Sequence, residues 1–207
     1  MSDRRSSAKA RLGILLSGRG SNFEAITRNV LSGHLPCEIG LVFSNKPEAA
    51  GLQLARELGL PHAAITSAGT ERTSFDAQVA ELLQEHRVDW ICLAGYMRLL
   101  SSTFVSRFAG RILNIHPSLL PAFPGLDAQY QALAHGAKMT GCTVHFVDEN
   151  LDDGPILLQT AVPILDNDTV ESLSARILIE EHKIYSEAIA WVLRGNYRLE
   201  GRRVLQT

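Results

Sequence analysis

The 207-residue sequence has little of what usually announces metal, redox or covalent chemistry. Its three cysteines, Cys37, Cys92 and Cys142, are far apart, with no Cys-x-x-Cys pair. An odd, dispersed set encodes neither a disulfide framework nor a thiolate zinc site, and it reads as buried, reduced thiols in a cytoplasmic protein. The seven histidines form no His-Glu-x-x-His pattern and no cluster with carboxylates, so no metal site is expected. There is no Gly-x-Ser-x-Gly nucleophile elbow. No apolar run approaches the roughly eighteen residues of a membrane span. Residues 1–10, with Arg4 and Arg5, read as a disordered polar tail rather than a signal peptide. Charge of one sign is missing too. Twenty Lys and Arg stand against 22 Asp and Glu, a formal net charge of −2. That excludes a broad basic footprint for nucleic acid or an anionic membrane, while leaving room for a local pocket that holds one phosphate.

What is present is an ordinary globular composition, 45% hydrophobic and 20% charged, which excludes wholesale disorder. The length suits one domain, able to bury roughly 70% of its unfolded surface. Short β-rich runs at 12–16, 39–43, 63–65, 90–94 and 111–115 alternate with helical spacing at 22–31, 48–58, 75–86 and 101–108. Such alternation predicts βα units around a parallel sheet. After His116-Pro117 the pattern changes. Prolines and Gly125 punctuate a long loop before a short helix at 129–134, and strands at 143–147 and 156–162 flank an acidic loop. Asp168-Thr-Val-Glu171 has capping-box spacing and opens a long helix that Gly195-Asn196 ends; residues 197–205 read as a terminal strand.

Three constellations can carry chemistry. The first is the turn Ser17-Gly-Arg-Gly-Ser-Asn22, where a strand enters a helix. Glycines let backbone N–H groups approach an anion at a helix N-terminus, and Ser17, Ser21 and Asn22 offer side-chain donors; Ser21 or Asn22 can also cap the helix. The spacing is neither Gly-x-Gly-x-x-Gly nor a Walker loop, so one phosphomonoester fits better than a dinucleotide, and a turn serving only topology is the plainer alternative. The second is Asn114-Ile-His116-Pro-Ser118 at a strand end. Alternation puts Asn114 and His116 on one face, where an amide and an imidazole can steady a developing oxyanion or move a proton. A buried structural histidine competes evenly with that reading. The third is Val147-Asp-Glu-Asn-Leu-Asp152-Asp153-Gly154-Pro155. In isolation it is a solvated turn, but a carboxylate on it can swing over the sheet end and pair with His116.

Together these segments resemble the glycinamide ribonucleotide transformylases, folate-dependent phosphoribosylglycinamide formyltransferases of purine synthesis. The likeness rests on Ser17–Asn22, Ala94-Gly-Tyr-Met-Arg98, Leu113-Asn-Ile-His-Pro-Ser-Leu-Leu-Pro121 and the stretch from Gly141 to Pro155. It implies a single-domain α/β, Rossmann-like formyltransferase fold. Its sheet would be mainly parallel and twisted, with helices on both faces and antiparallel strands in the C-terminal half. The domain would span 11–207, with a phosphate-binding half to about 110 and a folate and catalytic half after it. The resemblance implies Asn114, His116 and Asp152 as catalytic trio, and Gly20, Ser21 and Asn22 as substrate-phosphate loop. Glu181 would bind ribose. Arg72, Met97, Arg98, Leu99, Leu100, Val147, Asp148 and Leu151 would form the folate site, with both arginines facing its tail. Glycinamide ribonucleotide and the co-substrate 10-formyltetrahydrofolate would be the small-molecule partners, with no metal, nucleic acid or membrane, in a monomer or homodimer. Asp127 stands where relatives commonly have histidine, which puts local substrate contacts at that loop in question.

A formyltetrahydrofolate deformylase uses the same trio but adds an N-terminal regulatory domain, and only about ten residues precede the first strand here. A methionyl-tRNA formyltransferase adds a C-terminal RNA-binding domain, for which the residues after Arg194 leave no room. From outside the enzymes, a non-catalytic phosphate- or folate-binding module is the alternative, against which the retained trio argues.

Overall fold

The computed structural model describes residues 9–207. The polar tail expected over 1–10 therefore lies outside the described residues up to residue 8, and Ala10 already opens the first strand. Among the described residues, five strand–helix pairs are followed by two consecutive strands, a long helix and a closing hairpin. In the first half these are β1 Ala10–Leu16, α1 Ser21–Leu31, β2 Cys37–Ser44, α2 Ala50–Glu57, β3 His62–Ala64, α3 Arg72–Glu85, β4 Trp90–Leu93 and α4 Ser102–Arg107. The second half holds β5 Ile112–His116, α5 Ala128–Ala134, β6 Met139–Phe146, β7 Ile156–Pro163, α6 Val170–Arg194, β8 Tyr197–Glu200 and β9 Arg203–Gln206.

The described strands form one sheet in the order β3-β2-β1-β4-β5-β6-β7-β9-β8. The pairs from β3 to β5 are parallel, while β5–β6, β6–β7 and β8–β9 are antiparallel. The chain runs outward from β1 through β2 to β3, then returns to β4 on the other side of β1. This reversal makes a topological switch point between β1 and β4, where open α/β sheets bind ligands beyond the strand carboxyl ends.

Near-continuous apolar strands explain the burial on both faces. One face packs Phe23 and Ile26 of α1, Leu52 of α2 and Leu173, Ile177, Tyr185 and Ile189 of α6. The opposite face packs Phe75, Val79 and Leu83 of α3 and Phe104 of α4. Cys37, Cys92 and Cys142 are buried and free, as their apolar surroundings suggest. Burial pushes the Cys37 thiol up to about 11 and Cys142 up to about 12, so neither is a ready nucleophile.

Two local expectations are corrected. The capping box of α6 is Thr169 with Ser172, not Asp168 with Glu171. Asp168 instead pairs with Arg176 and accepts from Leu165 N. The strand expected over 197–205 is a hairpin, turned at Gly201, whose φ of 59° suits glycine.

Candidate active site

The turn after β1 is built by close backbone approach. Gly20 precedes α1 with φ 79° and ψ 33°, and a Cβ there would meet Gly51 Cα at 2.9 Å. Only glycine meets both demands. No side chain caps α1, so its opening N–H groups are available to an anion. This corrects the expectation that Ser21 or Asn22 caps the helix. Ser17 is also committed elsewhere. Its hydroxyl donates to Asn45 Oδ1 at 2.6 Å and accepts from Met97 N at 2.8 Å, while Ser17 N donates to Gly95 O at 3.0 Å. Ser17 thus ties the ends of β1, β2 and β4 across the switch point.

Asn22 is buried, and its Nδ2 donates to Glu181 Oε2 at 2.7 Å. The fold therefore brings together two candidate residues 159 positions apart. Asn22 Oδ1 is a buried acceptor without a protein partner. Burial raises the Glu181 carboxyl above its ordinary value, against the opposing pull of the Asn22 hydrogen bond. One turn further along α6, the Tyr185 hydroxyl lies 3.0 Å from both Leu93 O and Leu113 O, fixing α6 to the end of β4 and to β5 beside Asn114.

On β5, Leu113 and Ile115 enter the core beside α6, so alternation turns Asn114 and His116 to the other face, as expected. His116 is buried. Its Nε2 donates to Phe123 O at 2.9 Å, and its Nδ1 lies 3.3 Å from Asp152 Oδ2. Both ring nitrogens face oxygen acceptors. Asp152 also accepts from Gly125 N at 2.8 Å and adopts φ 51°, a left-handed conformation uncommon outside glycine. The acidic loop has little slack, because a Cβ on Gly154 would fall 1.8 Å from Phe146 O.

His145 completes the cluster. Register sets it opposite Asn114, and Asn114 Nδ2 lies 3.1 Å from His145 Nε2. His145 Nδ1 faces the Phe146 carbonyl at 2.8 Å, so Nδ1 carries the proton and Nε2 accepts from Asn114. Burial holds the ring's pKa below its ordinary 6.5, which keeps it neutral. Sequence reasoning did not single out His145. The alternation of Thr143, His145 and Val147 was the available signal, but it gains meaning only from the β5–β6 register.

The expected folate residues lie around this end of the sheet. Leu100 and Val147 pack on the same core face as α3. Met97, Leu99 and Leu151 are exposed apolar side chains, at 64%, 52% and 56%, on the loops flanking the cluster. The Arg98 guanidinium sits over the Phe75 ring, 4.4 Å from its centroid, and Arg72 is the exposed first residue of the same helix, α3. Asp148 Oδ1 accepts from Asn150 N, shaping the turn that leads to Asp152. Asp127 is exposed and precedes α5 with φ 57°, its side chain making no cap bond.

The fold and site define an α/β enzyme scaffold with an anion-ready loop at the switch point and an Asn–His–Asp cluster beside it. Residues 10–189 match the family model described as formyl transferase. The phosphoribosylglycinamide formyltransferase of Escherichia coli strain K12 is 42% identical over 90% of this chain and 88% of that protein. The trifunctional purine biosynthetic protein adenosine-3 of Bos taurus is 46% identical over 92% of this chain. This chain spans only 19% of that protein. Among solved structures, glycinamide ribonucleotide transformylase 1 from Symbiobacterium toebii superposes with a TM-score of 0.94 at 52% identity, covering 96% of this chain and 94% of that one. A formyltetrahydrofolate deformylase from Pseudomonas syringae pv. tomato str. DC3000 has a TM-score of 0.90 at 26% identity, covering 97% of this chain but 67% of that one. The chain belongs to the formyl transferase family.

Proposed function

We propose that the protein transfers the formyl group of 10-formyltetrahydrofolate to the amine of 5'-phosphoribosylglycinamide, a step of de novo purine (IMP) biosynthesis. The observation that carries this reading is the placement of the Asn114–His116–Asp152 cluster at the end of β5 and of the Gly20 turn, with its Asn22–Glu181 bond, at the end of β1, with β4 between them. Gly20 and the first N–H groups of α1 take the phosphate, and Glu181, held by Asn22, takes ribose hydroxyls. Arg72 and Arg98 face the acidic folate tail, and the loops bearing Leu99, Leu100, Val147, Asp148 and Leu151 hold the pterin.

The amine attacks the formyl carbon, and negative charge grows on the formyl oxygen. One Asn114 N–H is spent on His145, which leaves the other to donate to that oxygen. His116 Nε2, which donates to the Phe123 carbonyl in this structure, exchanges that acceptor for the oxyanion. Asp152, 3.3 Å from Nδ1, orients the ring and supports its positive form while the amine proton passes to the departing folate nitrogen. Holding both substrates in one cleft supplies proximity.

A deformylase would run the same cluster with water as acceptor and would have no use for the Asn22–Glu181 site. An assay with 10-formyltetrahydrofolate, with and without glycinamide ribonucleotide, tests the reading. Folate product is expected only when ribonucleotide is present, and equal product without it would overturn the proposal. In that assay His116→Ala is expected to lower kcat by at least about 10²-fold, the scale of lost acid–base and oxyanion help, while ribonucleotide binding survives.

A further inference from the structure

The loop over residues 147–155, between β6 and β7, carries Asp152 and is gripped at three points by the hairpin that follows α6. At the loop entrance, the Tyr197 ring of β8 packs on Phe146, the last residue of β6, with centroids 5.8 Å apart. At the exit, β9 joins β7 through the pairing of Arg203 with Ile156. Between them, Arg202 Nη2 donates to Asp153 Oδ1 at 2.9 Å and also to the Asp153 backbone carbonyl. The hairpin lies beyond residues 10–189, the stretch that the family model matches.

We propose that Arg202 is a positioning residue, which holds Asp152 at His116 by anchoring Asp153. The proposal rests on the formyl-transfer reading of the cluster. Arg202 fixes both the carbonyl and the side chain of Asp153, while Gly125 N fixes the Asp152 carboxylate from the other side. Asp152 is thereby kept in a backbone conformation that a non-glycine residue rarely adopts unaided. Both side chains of the Arg202–Asp153 pair are largely exposed, at 61% and 47%, so its removal is expected to leave global stability nearly unchanged. Its effect belongs in the geometry of catalysis, where small displacements matter most.

The test compares Arg202→Ala and Arg202→Lys in the full chain by steady-state kinetics and by amide hydrogen exchange without ligands. Arg202→Ala is expected to lower kcat about twofold to fivefold, the scale of one exposed ion pair. The KM for ribonucleotide should be unchanged, because the Gly20 loop and Glu181 are untouched. Exchange should quicken in 147–155 alone, and Arg202→Lys should recover part of both effects. A parental kcat with parental exchange in Arg202→Ala would overturn the proposal, as would a loss that tracks a lowered Tm and faster exchange throughout the sheet. If the parent protein transfers no formyl group, the functional reading fails by itself, and the exchange data still decide whether Arg202 holds the loop.

Discussion

Asn114 and His145 fix each other's hydrogen-bonding state. The Phe146 carbonyl can only accept, so the proton of His145 sits on Nδ1 and its Nε2 lone pair faces the Asn114 amide. Burial keeps the ring neutral, which preserves that acceptor. Asn114→Asp keeps the shape but turns an acceptor-only carboxylate toward Nε2. It is expected to lower kcat by about 10²–10³-fold, the scale of one lost oxyanion donor, with little change in ribonucleotide KM. Steady-state kinetics checks this, and a parental kcat would count against the assigned orientation. The Asn114–His116 pair was legible in the sequence because strand alternation needs no tertiary information. His145 was not, since its role follows from pairing across the β5–β6 ladder. Asn22 shows the same limit. Its type and place suggested a phosphate donor, and only the fold shows that its amide also donates to Glu181 at the far end of the chain.

At the scale of elements, α6 is the strut that joins the two halves of the site. Tyr185 fixes it to the carbonyls of Leu93, the last residue of β4, and Leu113, the second residue of β5 and next to Asn114. Glu181 follows one turn away on the same helical face. Tyr185→Phe removes a fully buried donor and is expected to cost about 1–3 kcal/mol, read as a lower urea midpoint at unchanged slope. A parental midpoint would show that the hydroxyl does not tie the helix to the sheet. Periodicity located the elements of this sheet because buried parallel strands are apolar runs and their helices carry one apolar face. Ends were less legible. Asp168 satisfies a helix-start pattern as well as Thr169 does, and only the position of Arg176 decides between them. The closing hairpin was hidden because its strands are four residues each and the Gly201 turn interrupts a single short run.

For the whole molecule, two buried groups of the site titrate with opposite consequences for stability. Glu181 has a raised pKa, so the folded state holds its proton more tightly than the unfolded chain, and stability falls as pH rises from about 4.5 through the raised value. His145 has a lowered pKa, so the unfolded chain takes up its proton first, and stability falls as pH drops below 6.5 toward the lowered value. The Glu181 slope acts upward from 4.5 and the His145 slope downward from 6.5, so the two oppose each other where they overlap, each limited to about 1.4 kcal/mol per pH unit for one proton. Glu181→Gln removes one of them while leaving Asn22 Nδ2 an amide oxygen to donate to. The variant is expected to be more stable than the parent near neutral pH, to lose that advantage toward pH 4.5, and to show a steeper acid decline in between. Urea midpoints across the range check this, and a gain of equal size at both ends would show that a buried charge is not its source. The same substitution is expected to raise the KM for ribonucleotide, because a neutral amide is a weaker acceptor for ribose hydroxyls than a carboxylate. On the proposed reading, a carboxylate retained at a cost to folding is accounted for by binding: α1 and α6 meet at Asn22 and Glu181, and the charge that weakens that junction is the one the ribose hydroxyls would use.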